Sequence, residues 1–247
     1  MTKIFDNEVR DRIEANGADF ALKAAGSAFI EASTLRKYSY NFSWLGRPII
    51  QYPQDIVAMQ ELIWTVQPDL IIETGIAHGG SLILSSSLLE LNAMCGGPAN
   101  ARVLGVDIDI RQHNREAIEA HPMARRIQMI QGSSIDPDII AQVKSLASGF
   151  RRILVCLDSN HTHEHALAEL EAYASLTSIG SYCVVFDTII EELPEDMFQD
   201  RPWGPGNNPK TAVREFLKSH PEFEIDKSID NKLLISVAPD GYLKKVL

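Results

Sequence analysis

The run Leu70-Ile71-Ile72-Glu73-Thr74-Gly75-Ile76-Ala77-His78-Gly79-Gly80-Ser81 sets three aliphatic residues before an acid, a glycine-bearing turn and a serine. A short aliphatic run closed by turn residues reads as a buried strand, and a helix is expected from Ser81 onward. The same alternation continues along the chain. Residues 102–107 read as a strand ending in an acid, 113–120 as a helix, 127–130 as a strand and 139–146 as a helix. Residues 153–158, 164–176 and 182–187 then read as strand, helix and strand, and a helix over 54–66 precedes the whole series. Strands separated by helices imply right-handed crossovers and a mainly parallel sheet covered on both faces.

The two ends of the chain break this pattern. Residues 6–38 are expected to be helical, with Val9, Ile13, Phe20, Leu22, Phe29 and Ile30 spread among charges. Residues 40–53 are turn-rich and carry Trp44, Gly46, Pro48 and Pro53, a composition that suits either a lid or packing against the core. The expected division is therefore a helical extension with a candidate lid over 1–52 and an α/β domain over 53–247. At the other end 211–219 reads as a helix. Residues 223–227 and 233–237 read as two strands joined by the polar 228–231, an antiparallel pair at the sheet edge.

Composition bounds the partners. Of 247 residues, 33 are acidic and 23 basic, and the net charge of −10 with no basic run disfavours nucleic acid. The charged opening does not read as a signal peptide, and no apolar run approaches the roughly 20 residues of a membrane span. A cytoplasmic protein is expected. Three cysteines without CxxC spacing fit a reducing compartment, with Cys156 and Cys183 placed in apolar runs as small buried hydrophobes.

In an open parallel sheet, ligands bind beyond the carboxyl ends of the strands. Those ends carry, in order, the turn from Glu73 to Ser81, then Asp107, then Gly132-Ser133-Ser134, then Asp158-Ser159-Asn160-His161, then Asp187. Gly75, Ala77 and Gly80 nearly fit a dinucleotide turn, but Glu73 stands just before it and would repel a pyrophosphate. The ammonium and sulfonium of S-adenosylmethionine would instead be attracted. Gly75 and Gly79 let the backbone approach that cofactor, Ser81 opens the following helix, Asp107 suits its ribose hydroxyls, and Ser134 its adenine end. A nicotinamide-dependent oxidoreductase is the alternative, and a non-catalytic nucleoside- or sugar-binding descendant is another.

The motif Glu73-Thr74-Gly75 with Gly79-Gly80-Ser81 resembles the first motif of catechol-type class I methyltransferases. Residues 40–216, above all Asp158-Ser159-Asn160-His161, the Asp187 strand end and 201–209, resemble the CmcI, or cephalosporin hydroxylase-like, family, which is similar to rhamnosyl and macrolide-sugar O-methyltransferases. The resemblance implies a Rossmann-like, seven-stranded sheet whose last strand is antiparallel. It also implies transfer of a methyl group to a sugar hydroxyl in a small-molecule or glycan acceptor, and self-association into a homo-oligomer. It implies a divalent metal, usually magnesium, held by Asp158 and Asp187, with Asp158 also bordering the cofactor. His161 matches the general base of the sugar enzymes, and an imidazole suits proton abstraction near neutrality. Relatives carry Glu-Asp where this chain has Phe186-Asp187, so Thr188 becomes a candidate replacement ligand. His161, His163 and His165 offer no third zinc ligand or HExxH pattern. Residues 189–210 are expected to close over the acceptor, with Trp203 presenting a face to a sugar ring.

Overall fold

A computed structural model describes residues 3–247. In chain order the elements are α1 (Lys3–Ala18), α2 (Phe20–Thr34), β1 (Phe42–Trp44), β2 (Arg47–Ile49), α3 (Pro53–Val66), β3 (Leu70–Thr74), α4 (Gly80–Met94), β4 (Arg102–Asp107) and α5 (Gln112–Glu119). They continue with β5 (Ile127–Gln131), α6 (Pro137–Ala147), β6 (Ile153–Leu157), α7 (His163–Tyr173), β7 (Tyr182–Val185), α8 (Pro209–Phe216), β8 (Phe223–Ile225), α9 (Lys227–Leu233) and β9 (Tyr242–Lys245).

Seven strands form one sheet in the order β5-β4-β3-β6-β7-β9-β8. The first five are mutually parallel, and β9 runs antiparallel to both β7 and β8. This is the Rossmann-like sheet expected from the sequence, with its last strand reversed. Every residue of β3, β6 and β7 is buried, as an apolar run in a sheet covered on both faces must be. Strand alternation divides that run between two cores. Ile71, Leu154, Cys156, Tyr182 and Val184 face α3 and α4, while Ile72, Val155, Leu157, Cys183 and Val185 face α7 and α8.

Local chemistry sets several boundaries. Pro53 and Pro137 open α3 and α6, where a missing N–H costs nothing, and Asp136 caps α6 by accepting from Asp138 N and Ile139 N. The extension is two helices, because Asp19 adopts an extended conformation and caps α2 by accepting from Leu22 N. Within the expected lid, Leu45 and Gly46 both take positive φ and turn β1 into β2. This hairpin is docked: Trp44 Nε1 donates to Ser87 Oγ on α4 at 2.9 Å. A Cβ on Gly80 would meet the Pro48 carbonyl oxygen at 2.1 Å, so only glycine allows the contact.

The tail differs from its sequence reading. Residues 227–233 form α9, capped by Asp226, and 233–237 are not a strand. The Val237 N–H and the Ser236 hydroxyl go instead to the carboxylate of Asp55 on α3. The edge pair is completed by β9, whose Tyr242 and Leu243 are fully buried. Among the described residues, no helix is long and apolar enough to cross a membrane.

Candidate active site

The backbone draws three strand ends together. Asp158 N donates to Thr74 O at 2.9 Å, and Phe186 N donates to Leu157 O at 3.0 Å, so Glu73, Asp158 and Asp187 emerge along one edge of the sheet. Asp158 and Asp187 border a cavity of about 580 Å³, and Glu73 lies behind its first turn. Its wall includes Gly75, Ile76, Ala77, His78, Gly80 and Ser81 from the first turn, Asp158, Ser159 and His161 after β6, and Asp187 after β7. Residues of both expected lids, among them Gln51, Tyr52, Arg201 and Trp203, cover it. The later segment is pinned in place: Glu191 accepts from Gly206 N, Asn208 Nδ2 and Arg214 Nη1, and buried Lys210 pairs with Glu192 and Asp240.

At the centre stand Asp158, His161 and Asp187, each offering one ligand atom within 4.8 Å of the others. His161 Nε2 lies 3.1 Å from Asp187 Oδ2, and the Trp203 ring meets the imidazole edge-on at 4.8 Å between centroids. Asp187 holds a left-handed backbone, φ 55°, a conformation uncommon for non-glycine residues. The half-buried Asp158 carboxylate receives a single long hydrogen bond, from Gln51 Nε2 at 3.4 Å. Burial pushes its pKa well above the usual carboxylate range, and Asp187 and Glu73 push it further.

Glu73 accepts from Ser81 Oγ and is otherwise desolvated, which raises its pKa to about 7. Gly75, with φ +89°, rests so closely on Asp158 that a Cβ would meet that residue's carbonyl oxygen at 2.0 Å. Gly79, also left-handed, is packed on Ile118 rather than facing the cavity. Two residues expected at the ribose and adenine ends stand outside the cavity wall. Asp107 Oδ2 accepts from Ile76 N at 2.7 Å and Ala77 N at 3.2 Å, and Oδ1 accepts from Asp109 N, so this carboxylate braces the first turn. The Ser134 hydroxyl lies 3.1 Å from His165 Nε2. Thr188 is not placed as a ligand: its hydroxyl is buried and donates to Pro239 O, while Phe186 sits in the core.

Two features escaped the sequence. Gln51 is buried, donates to Asp158, and leaves its Oε1 without a partner. No local pattern marks it, because its segment has no periodicity. Behind the site Ser159 Oγ donates to buried Glu169 at 2.7 Å and lies 3.0 Å from His165 Nε2, which joins Ser134 to the same network. This one had a signal: Glu169 falls on the stripe of Ala166, Leu170 and Tyr173, where an acid on an apolar helix face requires a partner. His163 pairs instead with Thr211 and Glu215, so the three histidines do not converge.

The residues present fit the groups that the sequence implies. Two carboxylates and an imidazole within coordination reach suit a divalent cation, whose remaining positions water can fill. A cation beside Glu73 would offset the desolvation that favours its neutral form, and the orphaned Gln51 Oε1 offers a further acceptor. Comparison with known proteins agrees. The family model "Rhamnosyl O-methyltransferase/CmcI" matches residues 36–246. The rhamnosyl O-methyltransferase of Mycobacterium tuberculosis (strain ATCC 25618 / H37Rv) is 32% identical over 194 residues, covering 76% of this chain and 72% of that protein. The Mycobacterium leprae (strain TN) enzyme of the same name is 28% identical over 206 residues, covering 81% and 82%. A CmcI structure with Mg and SAM superposes with a TM-score of 0.54 at 20% identity, covering 84% of this chain and 78% of that one. The O-methyltransferase TomG from Streptomyces achromogenes superposes at 0.53 with 15% identity, covering 93% and 91%, and at such identities the likeness bears on the fold. The chain belongs to the rhamnosyl O-methyltransferase/CmcI family of S-adenosylmethionine-dependent O-methyltransferases.

Proposed function

We propose that the chain transfers a methyl group from S-adenosylmethionine to a hydroxyl of a sugar, with His161 as the general base. The observation that carries this reading is the grouping of Asp158, His161 and Asp187 in one cavity with the first turn. The cofactor supplies an electrophilic methyl group, and a magnesium ion held by Asp158 and Asp187 would make the acceptor hydroxyl easier to deprotonate. Glu73, with Gln51 beside it, receives the cationic methionine portion. Gly75 and Gly80 allow the backbone close approach, and Ser81 fixes the Glu73 carboxylate. Asp187 orients the imidazole. An Nε2–H donated to it leaves Nδ1 free to take the acceptor proton, and Trp203 steadies the ring and offers an aromatic face to the sugar.

The family name carried by the relatives supports a deoxysugar such as rhamnose as the acceptor unit. We also assign residues 1–52 to an accessory layer. Exposed Phe20, Leu22 and Leu35 support its use in self-association, and the charge balance supports a cytoplasmic location. The test is calorimetric titration with S-adenosylhomocysteine, with and without magnesium, paired with methyl transfer to rhamnosides. Saturable binding is expected in both parent and His161→Ala, with turnover lowered in the variant by about a hundredfold or more. A bound nicotinamide on the purified protein, or full turnover by His161→Ala, would overturn the assignment.

A further inference from the structure

The floor and the mouth of the cavity carry opposite charge. Asp158 and Asp187 lie at the floor, whereas the cations on the wall besides histidine are Lys37 and Arg201, both exposed. Arg12, Arg111, Arg115, Arg125 and Arg214 each lie within ion-pair reach of a carboxylate. Among the described residues, no carboxylate forms an ion pair with Lys37 or Arg201.

Each is instead laid over an aromatic ring of the same wall. Lys37 Nζ is 5.9 Å from the Tyr40 centroid, and Arg201 Cζ is 5.4 Å from the Trp203 centroid. Trp203 in turn meets His161, so Arg201 stands one ring away from the reacting centre. Stacking restrains a long side chain while leaving guanidinium and ammonium donors unused. Lys37 is also held left-handed, φ 53°, a conformation that glycine adopts without strain.

We infer that Lys37 and Arg201 form an anion subsite at the cavity mouth and that the acceptor is a sugar carrying a phosphate ester. The inference rests on the sugar reading above and narrows it. A guanidinium fork and an ammonium together match phosphate oxygens. A phosphate held by this pair at the mouth leaves the neutral sugar hydroxyls to point inward toward His161.

The experiment compares rhamnose 1-phosphate with methyl rhamnoside, both as methyl acceptors and as ligands of the S-adenosylhomocysteine-loaded chain. The phosphate ester is expected to bind saturably and to show roughly a tenfold or greater advantage in kcat/KM at low salt. That advantage falls toward one in Lys37→Gly/Arg201→Met and as salt is raised. Lys37→Gly alone keeps the fold, because glycine suits the backbone at that position, and lowers phosphate-ester affinity. Equal or better use of the neutral glycoside, or an advantage that survives the double variant, overturns the anion subsite and leaves sugar methylation standing. Binding of the phosphate ester without methyl transfer to either sugar keeps the subsite and removes the sugar assignment. Failure of the loaded chain to bind the phosphate ester overturns the subsite.

Discussion

Asp55 and Asp158 both have raised pKa values, yet their surroundings differ: Asp55 is fully buried, whereas Asp158 is half-buried on the cavity wall. Asp55, in the first turn of α3, accepts from Ser236 Oγ at 2.6 Å, Tyr242 OH at 2.8 Å and Val237 N at 3.0 Å. Burial raises its pKa, these donors hold it down, and the balance is about 6. Asp158 has the one long contact from Gln51 and faces Asp187 and Glu73, so nothing comparable restrains it. A buried carboxylate ringed by donors ties the tail of the chain to the sheet. A half-buried one with a single long contact is held ready for a ligand that supplies positive charge, and folding stability is lower for it.

The contrast is sharpest at Asp158. Asp158→Asn is expected to lower methyl transfer by about a hundredfold or more, measured with labelled cofactor. The melting temperature of the ligand-free protein should stay level or rise, because a neutral amide replaces a carboxyl crowded by Asp187 and Glu73. A variant that loses stability and keeps its turnover would erase the distinction.

Asp55→Ala should do the reverse. Three donors lose their acceptor, so denaturant unfolding is expected to show a loss of about 3 kcal/mol. Turnover per folded molecule should be retained. A variant as stable as the parent would mean that the tail is held by apolar packing alone.

Glu73 tests the comparison with a smaller effect. Its folded pKa of about 7 lies above the ordinary 4.5, so the folded state binds the extra proton between these values. The stability it contributes is fully present below about pH 4.5 and is lost as pH rises through about 7. The cofactor-free protein should therefore lose about 2 kcal/mol between about pH 5 and pH 7 from this group. Glu73→Gln should flatten that part of the profile, and thermal melts across the range will show whether it does. An unchanged profile would show that Ser81 and local water already satisfy the carboxylate.

The central strands were legible in the sequence because each is a short apolar run whose residues alternate between two packed faces. That Glu73, Asp158, His161 and Asp187 stand at the carboxyl edge of the sheet was legible for a related reason, since each follows such an apolar run, and the cavity wall bears Asp158, His161 and Asp187. The tail was not legible. Whether 233–237 pairs as a strand depends on Asp55, 181 residues from Ser236, which takes the Val237 N–H that a ladder would otherwise use. Asp107 and Ser134 show the same limit within the site. The sequence places both at strand ends, but the direction of each side chain follows the nearest unsatisfied donors or acceptors. For Asp107 these are the N–H groups of Ile76 and Ala77, and for Ser134 the His165 ring.

By itself, then, the sequence determined the parallel core and the family, because hydrophobic period and strand-end chemistry are local properties of the chain. Only the tertiary structure decided which polar groups share a space. It set Gln51 against Asp158, joined Glu169 to Ser159, and brought Lys37 and Arg201 to one cavity mouth. A buried or unpaired polar group takes its meaning from what lies within hydrogen-bonding reach, and that is settled when distant segments pack.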